Sequence, residues 1–484
     1  VGETKNKKGS GLKNKERMKI ARQRMPEQDP EVRKGNFDEV ALGLTDELAY
    51  QDTLRCIQCK KKPCIDGCPV RIDIPAFLKA FEEGDLKESA RILKDANSLP
   101  AICGRVCPQE QQCELVCTVG KKGDPVAIGH LERYVSDWER TNLGLVVPEK
   151  KPPTGRKVAI IGSGPAGLTA AGDLAKNGHE VIIFEALHKP GGVMRYGIPS
   201  FRLPRDILDG EIDYLKALGV KIVCNVVVGK AFTVDELLKE YDTVFIGTGA
   251  GLPWFMRIPG ENLKGVYSAN EYLTRIILMG GRGVPETDTP VIVGKKVAVI
   301  GGGNTAMDAC RVSLRMGAEK VYCLYRRSRT ELPARIEEID HAEEEGVDFQ
   351  FLTAPVEFYG NDDGWLTGAK CVRMELGEPD ASGRRRPIVI EGSEFDIELD
   401  TCVEAIGFGA NPLVPQTTPG LDTDKWGIVE AIKETGKTSR DRVYAGGDII
   451  TGGSTVISAM GQARIAAAAM HEYMMSVEPV SKSR

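Results

Sequence analysis

Eight of the thirteen cysteines fall between Cys56 and Cys117, in two sets of four. The first set is Cys56-x2-Cys59-x4-Cys64-x3-Cys68, closed by Pro69. The second is Cys103-x3-Cys107-Pro108-x4-Cys113-x3-Cys117. Thiolates so spaced hold soft metal centres. CxxC also suits tetrahedral zinc, which stands as the alternative. A tight four-cysteine run ending in Cys-Pro instead fits iron–sulfur ligation, where the last cysteine serves the other of two clusters. The sets therefore predict two 4Fe–4S clusters with exchanged ligands. The polar, basic start carries no secretory pattern, so metal is favoured over disulfides.

A second chemistry is written in glycines. Gly162-x-Gly164-x-x-Gly167 follows the apolar run Val158–Ile161 and opens an amphipathic segment, with Pro165 and Ala166 inside the motif. A second apolar run, Val181–Phe184, ends on Glu185. This is the dinucleotide fingerprint in its strand–turn–helix context, with an acid placed for ribose hydroxyls. A glycine turn without ligand is the alternative. The stretch Gly191-Gly192 to Gly197-Ile198 follows, where flavin-dependent disulfide reductases place a redox cysteine pair; none is present here. A further small-residue turn, Gly247-Thr248-Gly249, follows another apolar run.

Gly301-x-Gly303-x-x-Ala306, with Asn304 and Thr305 between, is a second fingerprint with an allowed final alanine. Its second strand, Val321–Tyr325, ends on Arg326-Arg327-Ser328-Arg329, not on an acid. Guanidinium pairs with phosphate through several charge-assisted bonds, so these arginines favour NADP over NAD; a surface basic cluster is the alternative. Val403–Ile406 reads as a strand before Gly407, and Val443–Ala445 leads into Gly446-Gly447-Asp448 and a small-residue helix from about Ser454 to Met470.

These motifs need elements to carry them. The chain has 484 residues and a formal net charge of −5, which suits two to four domains and does not suggest nucleic acid. No apolar run reaches the roughly 18 residues of a membrane span. Val1–Arg24 carries nine Lys or Arg against two Glu. It reads as a solvated flexible arm, with docking to an acidic partner as the sharper alternative. The polar stretch after it reads as an arm wrapped over the cysteine domain. Ile74–Leu93 reads as a helix between the cysteine sets, and Asp124-Pro125 as the start of another carrying Ile128, Leu131, Val135 and Trp138. Glu132 on that helix reads as a solvated position. EKKPPTG, 149–155, is a linker. The chain starts at Val1, so a short native N-terminus is expected to be missing.

The expected fold is α/β: two Rossmann-like dinucleotide-binding domains, the NADP domain inserted in the FAD domain, behind an α-helical iron–sulfur domain. The expected boundaries are 1–52 for the arm, 53–148 for the iron–sulfur domain, 149–290 with 403–484 for the FAD domain, and 291–402 for the NADP domain. A non-catalytic electron-transfer module with vestigial nucleotide sites is the different class. The intact glycines, Glu185 and the arginine pair argue against it.

With these residues in place, the chain resembles the family of the bacterial glutamate synthase small subunit. That family includes the large subunit of NADH-dependent ferredoxin–NADP transhydrogenase and the N-terminal part of dihydropyrimidine dehydrogenase. The likeness spans nearly the whole chain and rests on CIQCKKKPCIDGCP, CGRVCPQEQQCELVC, GSGPAG, GGVMRYGIP, GGGNTAMD, RRSRTELPAR and AGGD. MPEQDPEVRKGNFDEV looks most like the transhydrogenase large subunit. The resemblance implies FAD, NADP(H) and two 4Fe–4S clusters. It implies one cluster on Cys56, Cys59, Cys64 and Cys117, and one on Cys68, Cys107, Cys113 and Glu132, with Cys103 a buried spare. It places Asp448 at the ribityl or phosphate part of the flavin. It implies hydride exchange between nicotinamide and flavin and single electrons through the clusters, with the pair split in the transhydrogenase. The expected partners are ferredoxin and a flavin- and iron–sulfur-containing subunit, in a cytoplasmic hetero-oligomer. Glutamate synthase and sulfide dehydrogenase subunits are the other members in view.

Overall fold

The computed structural model describes residues 10–281, 290–381 and 383–479. Residues 1–9 of the expected arm lie outside them.

The cysteine region is helical. Helices Asp46–Thr53, Ile74–Glu82 and Leu86–Ala96 each begin at a side-chain cap, from Thr45, Asp73 and Asp85. The single helix expected over 74–93 is therefore two. Gly84 adopts φ +86°, which ends the first, and Asp85 accepts from Glu88 N–H to start the second. Helices Pro100–Val106 and Ile128–Asn142 complete the group. The last does not start at Asp124-Pro125. The Arg55 guanidinium takes both carbonyls at 2.6 Å and holds that dipeptide outside the helix.

From residue 10 the basic arm is packed, not solvated. Arg17 pairs with Glu82 at 2.6 Å and donates to the carbonyls of Leu54 and Cys56. Arg22 pairs with Glu114 at 2.8 Å, and Gln23 N–H donates to Asp52. Further along, Arg33, 1% exposed, joins Glu344 and Glu345. The arm thus ties the cysteine region to the second nucleotide sheet, which is wider than the wrap the sequence suggested.

Two five-stranded parallel sheets carry the fingerprints. The first combines β1 (Lys157–Ile161), β2 (Glu180–Phe184), β3 (Lys221–Val223), β4 (Thr243–Ile246) and, after a long excursion, β16 (Val443–Ala445), in the order β16-β4-β1-β2-β3. Between β4 and β16 the chain leaves through β5 (Ala250–Pro253) and builds the second sheet. This contains β6 (Val266–Ser268), β7 (Lys296–Ile300), β8 (Lys320–Tyr325), β9 (Asp348–Phe351) and β14 (Thr401–Glu404), in the order β6-β14-β7-β8-β9. An antiparallel unit of β10 (Thr353–Gly360), β11 (Leu366–Pro379), β12 (Arg385–Val389) and β13 (Phe395–Glu398) sits between β9 and β14 in sequence. The chain returns through β15 (Phe408–Ala410), which pairs with β5. Every residue of β4 and β14 is buried, as parallel strands covered on both faces require.

The insertion of one nucleotide unit in another is as expected, but its edges differ. β6 lies before residue 291 and β14 straddles 402/403, yet both belong to the second sheet. A buried strand hydrogen-bonded to β6 and β7 cannot leave that sheet. The switch points are the paired connectors β5 and β15.

Candidate nucleotide and iron–sulfur site

The first fingerprint turns where the sequence places it. Gly162 has φ +96°, and a Cβ there would lie 2.6 Å from the Gly247 carbonyl. A Cβ at Gly167 would lie 2.0 Å from the Gly162 carbonyl. Gly164 and Gly249 face open space, with nothing within 4 Å of a built Cβ. Gly164 caps the helix Pro165–Lys176, so free backbone N–H groups and the helix dipole face that opening.

Other segments close on the same turn. Gly192 backs onto Gly164, 2.7 Å from its Cα to a built Cβ, and brings the short helix Val193–Tyr196 with Gly197 and Ile198. A Cβ at Gly447 would lie 2.9 Å from the Ala166 methyl. Asp448 accepts from Ser454 N–H at 3.2 Å, and burial raises its carboxyl to about 6. Glu185 does not present a free carboxylate. It accepts from Ser163 N–H and Leu187 N–H, both at 2.9 Å, and from the Ser163 hydroxyl. Sequence reading missed Ser163, Thr248 and Tyr196. The Thr248 hydroxyl is buried without a hydrogen-bond partner, and Tyr196 lies within electrostatic reach of both Glu185 and Asp448. An orphaned hydroxyl, two open glycines and a capped helix end fit a bound dinucleotide.

The second fingerprint repeats the plan. A Cβ at Gly301 would sit 2.3 Å from the Ala405 carbonyl, Gly303 is open, and Ala306 is fully buried. Asn304 and Thr305 start the helix Asn304–Arg315, but the Asn304 side-chain Oδ1 accepts from Arg335 N–H at 3.0 Å. The two arginines after β8 part ways. Arg327 is buried, pairs with Asp380 at 2.8 Å and donates to the Arg385 carbonyl. Arg326 is exposed and has no ion-pair partner among the described residues. The expected arginine pair is therefore one free guanidinium and one strut to the antiparallel unit.

Cys56, Cys59, Cys64 and Cys117 line one small cavity, walled by Ile57, Ile74, Pro75, Leu78 and Val126. Burial pushes the Cys56 thiol to about 11 and the Cys64 thiol to about 12, and their cysteine neighbours add to it. Cys68, Cys107, Cys113 and Glu132 form a second group. Cys107 and Cys113 each feel both Cys68 and Glu132. Glu132 is buried, not solvated. It accepts from Asn97 Nδ2 at 2.8 Å, and burial raises it to about 8. Arg133, the next residue, points away to the Ala41 carbonyl and Asp137. Cys103 lies 3.5 Å from Met460 Sδ and 3.8 Å from Asn97 Oδ1, beside Cys107.

Buried thiols with raised pKa need a cation to ionise. Thiols gathered around one cavity, with a second set beside Glu132, suit a soft metal centre such as an iron–sulfur cluster.

One turn of the helix Val456–Ser476 lies between the neighbourhood of the second cysteine group and the nucleotide site. Met460 touches Cys103, a Cβ at Gly461 would lie 2.7 Å from the Pro69 carbonyl, and Gln462 accepts from Gly447 N–H at 2.8 Å.

Comparison with known proteins places this geometry. Residues 33–143 match the family described as dihydropyrimidine dehydrogenase domain II, 4Fe-4S cluster, and residues 156–463 match pyridine nucleotide-disulphide oxidoreductase. The chain is 37% identical to the glutamate synthase [NADPH] small chain of Azospirillum brasilense over 460 residues, 93% of this chain and 94% of that one. It is 40% identical to the NADPH-Fe(3+) oxidoreductase subunit beta of Geobacter sulfurreducens over 436 residues, covering 85% of this chain and 63% of that one. The structure of Mycobacterium tuberculosis FprA in complex with NADPH aligns with TM-score 0.57 and 21% identity over 67% of this chain and 85% of that one, which shows a common fold. The chain belongs to the pyridine nucleotide-disulphide oxidoreductases, and is an oxidoreductase of the glutamate synthase small-chain family, with a 4Fe–4S domain ahead of its two nucleotide sheets.

Proposed function

We propose that this chain is an NADP(H)-linked flavin and iron–sulfur subunit that exchanges electrons between the nicotinamide pool and a low-potential ferredoxin or a partner flavin subunit. The observation that carries this reading is the single helical turn 460–462. It touches Cys103 and the Pro69 carbonyl, the neighbours of Cys107 and Cys68, and the Gly447–Asp448 turn together. With no cysteine pair beside Gly192–Gly197, the cysteine groups are the remaining outlet. FAD would supply the exchange between two-electron and one-electron chemistry, and clusters the one-electron conduction. Cys56, Cys59, Cys64 and Cys117 would hold one 4Fe–4S cluster, and Cys68, Cys107, Cys113 and Glu132 the other. Gly162, Gly164, Gly167, Gly192 and Gly447 let the backbone approach FAD, and Asp448 would meet its ribityl or phosphate part. Glu185 can turn from Ser163 to ribose hydroxyls. Gly301 and Gly303 open the NADP site, and exposed Arg326 meets the 2′-phosphate.

Within this class we favour the large subunit of an electron-bifurcating NADH-dependent ferredoxin–NADP transhydrogenase, working in a cytoplasmic hetero-oligomer. No helix among the described residues is long and apolar enough to cross a membrane. A specific observation favours a second reading: the Azospirillum brasilense glutamate synthase small chain matches over almost its full length. Purification of the native complex separates the two. Ferredoxin-coupled NADPH oxidation is expected. Activity that requires glutamine and 2-oxoglutarate assigns it to glutamate synthase.

A further inference from the structure

The basic residues near the chain start were left unused by the site. Their neighbourhood is specific. Of the eight clustered cysteines, Cys56 and Cys59 are half-buried and the other six are buried. One-electron exchange between proteins weakens steeply with distance, so a carrier must approach the least covered edge of the metal group. That edge is the Cys56–Cys59 side.

Lysines rim it. Lys60 and Lys61 follow Cys59 directly and are exposed. The Thr118 hydroxyl lies 3.4 Å from Cys59 Sγ, and exposed Lys121 and Lys122 follow it within a chain reach of roughly 15 Å. On the other flank, Arg17 donates to the Cys56 carbonyl, and exposed Lys15 and Lys19 stand two residues to either side of Arg17 in sequence. Lys62 pairs with Asp73 and Arg71 with Asp66, which leaves Glu16 and Asp124 as the exposed acids next in sequence to these six lysines. The six exposed lysines form no ion pair among the described residues. The whole chain is acidic, with a net charge of −5, so this rim runs against its own background. A local field of one sign steers an oppositely charged protein and fixes its orientation more than it adds affinity.

We propose that the lysine rim around Cys56 and Cys59 is the docking surface for a small, strongly acidic one-electron carrier protein. This rests on the reading of that cysteine group as a cluster site. The docked carrier would exchange one electron with that group and undergo no bond change.

The test separates docking from electron flow. Binding of an acidic plant-type 2Fe–2S ferredoxin to the intact holoprotein is measured by calorimetry at several salt concentrations, with basic cytochrome c as the opposite-charge probe. Lys60→Glu with Lys61→Glu, and separately Lys121→Glu with Lys122→Glu, should each weaken ferredoxin binding by about tenfold or more at low salt and flatten its salt dependence. Lys230→Glu with Lys239→Glu, on the first nucleotide unit, should change neither. Oxidation of NADPH by the small neutral acceptor menadione should be unchanged in all variants. Equal binding of cytochrome c, or undiminished ferredoxin binding in both rim variants, overturns the proposal. Loss of menadione reduction in the unaltered protein counts against the proposed electron path instead, because the binding measurement still judges the rim.

Discussion

At the scale of residues, a motif gives position but not availability. Arg326 and Arg327 look equivalent in sequence, but the partner that removes Arg327 is Asp380, 53 residues away. No local pattern announces that contact. Arg326→Ala is expected to raise the KM for NADPH about tenfold or more and leave that for NADH nearly unchanged, because charge-assisted bonds to a phosphate contribute about 1.5–3 kcal/mol. Arg327→Ala should instead lower thermal stability. Equal losses for both nucleotides in Arg326→Ala would refute the assignment. Glu132 poses the opposite case. Its place was legible through resemblance, but from the residues alone it read as solvated. Burial and the Asn97 bond set it with Cys68, Cys107 and Cys113. Glu132→Ala is expected to remove or convert one cluster in anaerobic electron paramagnetic resonance spectra, and Cys103→Ala to leave both. A carboxylate is a harder ligand than thiolate, so Glu132→Cys should shift the potential of one cluster only. The reverse result, with Glu132→Ala intact and Cys103→Ala depleted, would exchange their roles.

At the scale of elements, the strand–turn–helix units were readable because glycine spacing and apolar runs are local signals. β1, β2 and β8 stand where the runs predicted them. What could not be read is set by contacts distant in sequence. The antiparallel unit β10–β13 carries no glycine signature, and β14 joins β6 across more than a hundred residues. The arm's docking depends on buried acids such as Glu82 and Glu345 that belong to other elements. The helix Val456–Ser476 was expected as small-residue helix, but the reason for its small residues lies in the Pro69 carbonyl pressed against Gly461. Gly461→Ala tests that reason. It gains about 1 kcal/mol of helix propensity. Against this, overpacking on an immobile carbonyl costs about 1–3 kcal/mol. A fall in Tm of a few degrees is expected, together with slower NADPH-driven bleaching of cluster absorbance and unchanged bleaching of flavin absorbance. A variant as stable as the parent, with both phases unaltered, would show that this contact does not set the relation between helix and cysteine group.

At the scale of the whole molecule, the chain passes between the two nucleotide sheets through β5 and β15, Arg202 ties them through Asp308 and Glu338, and a pair of acids lies near the connectors in sequence. Glu261 follows the outgoing connector β5, and Glu404 ends β14 just before the returning β15. Glu404 is 2% exposed and lies against Glu261, with the Met256 backbone amide beside it. Burial first, then the neighbouring Glu261, raises Glu404 to about 8. The sign follows from proton counting. The unfolded chain releases this proton near pH 4.5, while the folded chain holds it to about 8. Between those values the folded state binds the extra proton, so stability falls as pH rises, by up to about 1.4 kcal/mol per pH unit. The contribution is fully present below pH 4.5 and lost as pH passes about 8. Glu404→Gln keeps the shape and removes the titration. Its Tm should exceed that of the parent by a margin that widens from pH 6 to pH 8 and then levels off. If the acid pair near the connectors affects how the sheets sit, the same variant should also lose the pH dependence of NADPH-driven flavin reduction over that interval. Parallel Tm curves for parent and variant from pH 6 to pH 9 would mean that Glu404 ionises normally.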